Sequence, residues 1–190
     1  IYADGDWGVW DRESLFARHF SEKIHVLPVG IKASNQHPLY LSFDFNVNNT
    51  CTLYQFSKNA PGQLHFATIN ILREYYIGDL EELCKTIKLE YPKLIYVING
   101  DPAGNNRSST SKDNLSAYQI IGNVLNISDM NMQVMPSAPS HLATKIISDL
   151  VFRKCKIQIA GPYCKELIAD LKEAKLDRLV SLDPWKKKNP

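Results

Sequence analysis

The feature that most constrains the fold of this chain is a hydrophobic pattern of period two near residue 40. Residues 39–47 alternate apolar and polar side chains, with Phe43 on one face and Asp44 on the other. This alternation predicts a β-strand with one buried face. Two more β-rich runs follow at 50–56 and 64–72, each after a stretch of turn-forming residues. We therefore expect an antiparallel meander of three strands.

Beyond residue 72 the pattern changes to alternating helices and strands. Apolar residues three and four positions apart predict helices, and short apolar runs predict strands. Asp113 is the candidate N-cap of the second helix. The expected segments are, in order, a helix over 80–91, a strand over 94–98, a helix over 115–124, a strand over 132–135, a helix opened by Pro139, a strand over 156–160 and a helix opened by Gly161 and Pro162.

The order of these segments predicts the fold class. Three meandering strands followed by alternating helices and strands fit an α/β fold with one mixed sheet and helices on both faces. The ribonuclease H-like (RNase H-like) architecture has this order of elements. Regular periodicity begins only at residue 39, so we interpret residues 1–38 as a linker or a remnant of a preceding domain, and residues 39–190 as the folded domain.

The composition excludes several classes of protein. Of the 190 residues, 44% are hydrophobic and 22% are charged, which is ordinary globular usage and rules out wholesale disorder. The formal net charge of +2 favours no class of partner. No apolar run reaches the ~18 residues of a membrane span, and the N-terminus lacks a secretory signal. The four cysteines are widely spaced, which argues against a zinc site or a disulfide framework and favours a reducing compartment. The chain lacks a starting Met, and we interpret it as a fragment.

Two acidic residues stand where a sheet of this kind carries chemistry. Asp44 lies inside the first predicted strand, and Asp101 directly follows the apolar run at 94–98. Sites in open α/β sheets lie at the carboxyl ends of parallel strands. If these two strands are neighbours, the carboxylates converge, and two close like charges favour a cation between them. Their oxygens suit Mg²⁺ or Mn²⁺. The alternative is a hydrogen-bonded strand aspartate and an unrelated turn aspartate.

The loop after Asp101 is suited to binding phosphate. Gly100 allows the backbone to approach a ligand closely. Arg107 and Ser108 lie among short polar residues, and such a set suits phosphate oxygens. A solvated loop is the alternative interpretation. Lys145, on a later predicted helix, is a further candidate phosphate contact. The sequence contains no P-loop, dinucleotide-binding or nucleophile-elbow motif.

Four segments together resemble the C-terminal nuclease domain of the phage terminase large subunit. Residues 43–47 read F-D-F-N-V and resemble the family's D-F-N-V strand. Residues 100–104 read G-D-P-A-G and precede an R-S pair at 107–108, as in the family's G-D-P-A-G…R-S segment. Residues 164–171 resemble its C-K-x-L-I-x-D-L helix. The G-D-W at 5–7 resembles the end of the ATPase domain that precedes the nuclease.

This resemblance, which covers about residues 39–175, implies an RNase H-like, metal-dependent endonuclease. Such enzymes cut concatemeric viral DNA, and we expect hydrolysis of the phosphodiester bond with two Mg²⁺ or Mn²⁺ ions. Asp44 would bridge both ions, Asp101 would hold one, and Arg107 would clamp a DNA phosphate. The family has a further ligand in a segment like T-H-x-S-D-A. That segment does not occur here, so the third ligand is expected beyond Pro190.

The resemblance also implies a biological context. The partners would be double-stranded DNA, the terminase ATPase domain, the small terminase subunit and the portal, with no membrane. The location would be the cytoplasm of a bacterial host, and residues 1–38 would be the remnant of the ATPase domain. Two alternatives stay open. One is a non-catalytic RNase H-like module that binds DNA or a motor partner, which the missing third ligand favours. The other is an RNase H-like resolvase or transposase core, against which G-D-P-A-G and G-D-W count.

Overall fold

The computed structural model describes residues 15–45, 49–59, 65–106 and 114–174. The strands are β1 (Val26–Leu27), β2 (Leu39–Asp44), β3 (Thr50–Lys58), β4 (Ala67–Tyr76), β5 (Tyr96–Gly100) and β6 (Cys155–Ala160). The helices are α1 (Glu22–His25), α2 (Leu80–Glu90), α3 (Ala117–Leu125), α4 (His141–Lys154) and α5 (Lys165–Glu173). Short 3₁₀ turns occupy Pro102–Asn105, Asp129–Asn131 and Gly161–Tyr163.

The strands form one mixed sheet of six strands in the order β1-β6-β4-β3-β2-β5. β2, β3 and β4 pair antiparallel, which confirms the predicted meander. β5 pairs parallel with β2, β6 pairs parallel with β4, and β1 pairs parallel with β6. A bulge between Leu53 and Tyr54 shifts the register of β3 against β4. The predicted α/β class with a mixed sheet is therefore confirmed.

Helices cover both faces of the sheet, because two apolar clusters lie on opposite sides of the strands. The larger cluster contains Leu41 and Leu53 of the meander together with residues of α2 and α3. The smaller cluster contains Ile157 and Ile159 of β6, with residues of α4 and α5 packed on them. All four cysteines are buried free thiols.

Three helices, α2, α3 and α4, begin at residues whose side chains cap free backbone N–H groups. Asp79 accepts from the N–H of Glu82 at 2.8 Å to start α2. Ser140 starts α4 in the same way. Ser116 starts α3 through a capping box with Gln119. The prediction that Asp113 caps α3 is therefore wrong, because Ser116 has the glutamine three residues later that completes the box; Asp113 itself lies outside the described residues.

Two predicted strand features are corrected by the structure. Residues 132–135 form no strand; Met132 makes a single parallel bridge to Ile98. A 3₁₀ turn ends just before this segment and Pro136, which has no N–H to donate, follows it, so the ladder has no room to extend. Asp44 is the last residue of β2 rather than an interior residue. The end of the predicted strand, residues 46–47, lies outside the described residues.

Part of the segment interpreted as a linker packs on the domain. Within residues 15–38, β1 adds an edge strand, and Ala17 is buried. Gln55 binds the backbone N–H and carbonyl of Ser34 and the carbonyl of His37, each at 2.8 Å. The assignment of this segment to a preceding ATPase domain stays a prediction. The G-D-W at 5–7 lies outside the described residues. In the described ranges, no helix is both long and apolar enough to cross a membrane.

Candidate active site

Asp44 and Asp101 lie side by side at the carboxyl edge of the sheet. Asp44 ends β2, and Asp101 directly follows β5, its parallel neighbour. The register pairs Phe43 with Gly100, one residue before each aspartate. The N–H of Asp101 donates to the carbonyl of Phe43 at 2.8 Å and continues the ladder past the end of β5. The structure thus brings the two predicted acids to adjacent strand ends.

Gly100 makes this close approach of the two strands possible. Its φ is +137°, a conformation that side-chain-bearing residues rarely adopt. A Cβ at this position would stand 2.0 Å from the carbonyl oxygen of Phe43. Only a glycine can therefore occupy this position without moving β5 away from β2.

A short turn fixes the aspartate that follows. The Oδ1 of Asp101 accepts a hydrogen bond from the N–H of Ala103 at 2.9 Å and caps the 3₁₀ turn that Pro102 begins. The carbonyl of Asp101 accepts from the N–H of Gly104 at 3.1 Å and from the Oη of Tyr118 at 2.9 Å. The carboxylate and the carbonyl of Asp101 are thus both tied to their surroundings.

The electrostatics of two tyrosines report negative charge at this edge. Burial raises the pKa of Tyr118, and the carboxylates of Asp101 and Asp44 raise it further. Burial raises the pKa of Tyr76 to about 12, with contributions from Glu74, from two acids of α5 and from Asp44. The carboxylates of Asp44 and Asp101 therefore both act on the phenol of Tyr118, and Asp44 also acts on that of Tyr76.

Glu74 connects this edge to α5. Its carboxylate accepts from the N–H of Glu166 at 2.7 Å and of Leu167 at 2.8 Å, so both oxygens cap the first turn of the helix. Burial raises the pKa of Glu74, although these two hydrogen bonds lower it. Since the Cys164 side chain makes no capping bond, the glutamate from β4 performs that role.

The donor set is suited to a hard divalent cation but is incomplete in the described residues. Two aspartates at neighbouring strand ends offer carboxylate oxygens, the ligands that Mg²⁺ and Mn²⁺ prefer. A cation would also relieve the repulsion between them. Among the described ranges no group of three or more His, Cys, Asp or Glu residues could hold a metal ion. The two aspartates would therefore supply two ligands of such a site and not a complete set.

Of the three predicted phosphate contacts, only Lys145 belongs to the part of the chain that the structure describes. Arg107 and Ser108, six and seven positions after Asp101 in the sequence, lie outside the described residues. Lys145 lies on α4. The phosphate-binding role of all three residues stays a prediction.

Sequence reasoning missed Tyr118 and Glu74. Tyr118 stands at an apolar position of α3, so its spacing predicts a core residue and does not reveal the hydroxyl bond. Glu74 lies in β4 and caps a helix 92 residues later in the chain. The one available signal was the alternation of Glu74 with apolar residues, which could have predicted that its side chain points away from the apolar face of the strand.

Comparison with solved structures finds the same fold in phage terminases. The large terminase of the thermophilic bacteriophage D6E in complex with ATP-gamma-S matches 87% of this chain with a TM-score of 0.54 and 12% identity. The same protein in complex with ADP gives 0.55 at the same identity and coverage. No family model matches the chain, and no curated protein does either. The chain spans 38% of the length of these terminases. At this identity the likeness shows the fold alone, and that fold is terminase-like.

Proposed function

We propose that the chain is the nuclease domain of a viral DNA-packaging terminase large subunit, a metal-dependent endonuclease that cuts concatemeric double-stranded DNA. The observation that supports this proposal is the placement of Asp44 and Asp101 at the ends of adjacent parallel strands in a terminase-like fold. Carboxyl ends of parallel strands are where open α/β sheets build their sites.

In this proposal Asp44 and Asp101 would hold the divalent ions. Bound Mg²⁺ or Mn²⁺ supplies an activated water and charge stabilisation for the phosphodiester oxygens. Gly100 keeps the two strand ends close, and the Ala103 N–H orients the carboxylate of Asp101. Arg107, Ser108 and Lys145 would contact DNA phosphates. Such contacts carry no sequence information, so we expect little sequence preference.

The wider context belongs to the same proposal. The third metal ligand would be supplied from beyond Pro190. The partners would be double-stranded DNA, the terminase ATPase domain, the small subunit and the portal, and the location would be the cytoplasm of a bacterial host.

Replacing Asp44 by asparagine tests the proposal. In the protein with its native downstream residues, cleavage of duplex DNA should require Mg²⁺ or Mn²⁺. Asp44→Asn should lower the rate at least about 100-fold, since even outer-shell changes at metal sites cost 10–100-fold. Its Tm without metal should be equal or higher, because one of two repelling charges is removed. Gel assays of plasmid cleavage and thermal melts measure both.

The matched control is Asp129→Asn, which neutralises an exposed aspartate in a 3₁₀ turn that follows α3 and should cut like the parent. Wild-type cleavage by Asp44→Asn would show that the assignment is wrong. A parent protein that binds duplex DNA without cutting it under any divalent ion would favour the non-catalytic module instead.

A further inference from the structure

The hydroxyl of Tyr118 reaches from α3 to the backbone of Asp101. It donates to the Asp101 carbonyl oxygen at 2.9 Å, and that oxygen also accepts from the N–H of Gly104. Tyr118 is only 4% exposed, so its side chain is largely shielded from water. A hydrogen bond away from water contributes more to holding its partners in place than one at the surface.

The ring of Tyr118 packs against Phe45 and Gly104. Phe45 meets it edge-on, with ring centroids 5.2 Å apart and planes at 88°. Phe45 in turn stacks on Phe43 at 6.1 Å. Gly104 lies close to both rings, since a Cβ there would stand 2.8 Å from the Tyr118 ring and 2.2 Å from the Phe45 ring. These contacts restrict the movement of the Tyr118 ring.

The helix that carries this tyrosine is also anchored at its start. Tyr118 is the second residue of α3, next to the capping box of Ser116 and Gln119. The Ser116 N–H donates to the Gln119 side chain at 2.8 Å, and the Ser116 hydroxyl accepts from the Gln119 N–H at 3.2 Å. The base and the ring of the tyrosine are both fixed.

From these contacts we infer that Tyr118 is a positioning residue, which holds the Asp101 backbone so that the carboxylate stays beside Asp44 for metal binding. The inference rests on the proposed function. Tyr118 orients Asp101 through its backbone carbonyl and makes no contact with the reacting atoms. An Asp101 free to rotate away from β2 would leave Asp44 as a lone ligand.

The test removes one oxygen atom. Tyr118→Phe keeps the ring against Phe45 and loses only the bond to Asp101. Amide exchange across residues 101–106 should become about 5-fold faster or more, as expected for loss of a bond worth ~1 kcal/mol. Mn²⁺ affinity by titration calorimetry should fall about 10-fold. Phe45→Leu keeps the hydroxyl but loosens the ring, and should change both quantities in the same direction by less.

Tyr96→Phe is the matched control. Tyr96 is a buried tyrosine at the opposite end of β5, and its hydroxyl donates to the carbonyl of Tyr91 at 2.6 Å. Tyr96→Phe should leave the Mn²⁺ affinity and the amide exchange of residues 101–106 unchanged. Equal effects of Tyr118→Phe and Tyr96→Phe, or parental values for Tyr118→Phe, would overturn the inference.

Asp101→Asn separates this inference from the proposed function. Loss of Mn²⁺ binding in Asp101→Asn with parental binding in Tyr118→Phe would refute the positioning role alone. Parental Mn²⁺ binding in Asp101→Asn would refute the metal site, while the exchange measurement would still report whether Tyr118 holds the Asp101 turn.

Discussion

At the scale of single residues, the candidate site depends on a position where a side chain is absent. Gly100 allows β5 to run against β2 up to the last residue before the acids. The backbone of Phe43 occupies the space that a side chain at residue 100 would need, and backbone cannot move aside as a flexible side chain can. The distance between the two acids is therefore set by the residue that precedes one of them.

Gly100→Ala should destabilise the fold and loosen the site. The positive φ and the contact with Phe43 should together lower the free energy of unfolding by more than about 2 kcal/mol. Urea denaturation measures this, and Mn²⁺ titration should show weaker binding as the strand ends separate. The control is Gly122→Ala within α3, where the new methyl would stand 3.6 Å from Met132. That change should be neutral or stabilise by up to about 1 kcal/mol. Equal stability of the two variants would contradict this account.

At the scale of elements, α5 is attached to the sheet by a carboxylate rather than by its own cap. Both oxygens of Glu74 accept from the first turn of the helix, where the backbone N–H groups have no partner within the helix and the helix dipole favours negative charge. The cap therefore couples the direction of α5 to the register of β4.

Glu74→Ala should release the start of α5. Loss of a cap costs about 0.5–2 kcal/mol, and we expect a value near 1–2 kcal/mol because both bonds go to a charged group. Chemical denaturation measures the free energy, and amide exchange at Glu166 and Leu167 should rise. The control on the same helix is Lys172→Ala, which breaks the exposed ion pair with Glu22 and should cost less than about 1 kcal/mol. If amide exchange at Glu166 and Leu167 in Glu74→Ala stays as slow as in the parent, the start of α5 is held by other contacts.

The same scale shows what the sequence could predict. The meander and α2 were predicted because their apolar residues repeat without interruption, and repetition reports a buried face directly. Asp44 and Asp101 were predicted as a pair because each stands at a fixed place relative to such a run. The α4 helix was predicted from the spacing of Leu142, Ile146 and Leu150, yet all three are half exposed or more. Spacing shows that a helix face is apolar, but not whether another element covers it.

Contacts distant in sequence account for what was missed. The Glu74 cap joins residues 92 positions apart, and the bond from Tyr118 to Asp101 spans 17. Neither contact follows from a local pattern, because Glu74 fits its strand and Tyr118 fits its helix whether or not the distant contact forms. Met132 fails to start a strand because Pro136 removes a donor within four residues, a local signal that outweighs the apolar run.

At the scale of the whole molecule, the two apolar clusters lie on opposite faces of one sheet and differ in chemistry. The smaller one borders His25, whose ring stacks on Phe20 at 5.8 Å and meets Phe152 edge-on at 5.1 Å. The Nδ1 of His25 accepts from the N–H of Ser21 at 2.9 Å. Burial lowers the pKa of His25 from its ordinary value of 6.5. The neutral ring is the form that this cluster accommodates.

Stability should therefore depend on pH through His25. With a folded-state pKa below that of the unfolded state, the unfolded chain binds the proton more readily, so the free energy of unfolding falls as pH drops below about 6.5. Above that pH the two states carry the same charge at this site, and the effect disappears. His25→Gln should flatten this part of the profile in denaturation measured from pH 8 to 5.5. The control, His141→Gln, changes an exposed histidine at the start of α4 and should leave the profile as in the parent. Equal slopes for parent and His25→Gln would assign the dependence elsewhere.

The two ends of the described fold meet. The N–H of Phe16 donates to the carbonyl of Ala174 at 2.7 Å, and β1 lies beside β6 on the same side of the sheet. The described part of the chain therefore begins and ends at one corner of the fold. In the strand order this corner lies at the edge of the sheet opposite the pairing of β2 with β5. A pulling force applied at residues 16 and 174 would load that corner first, and four strands stand between it and β5.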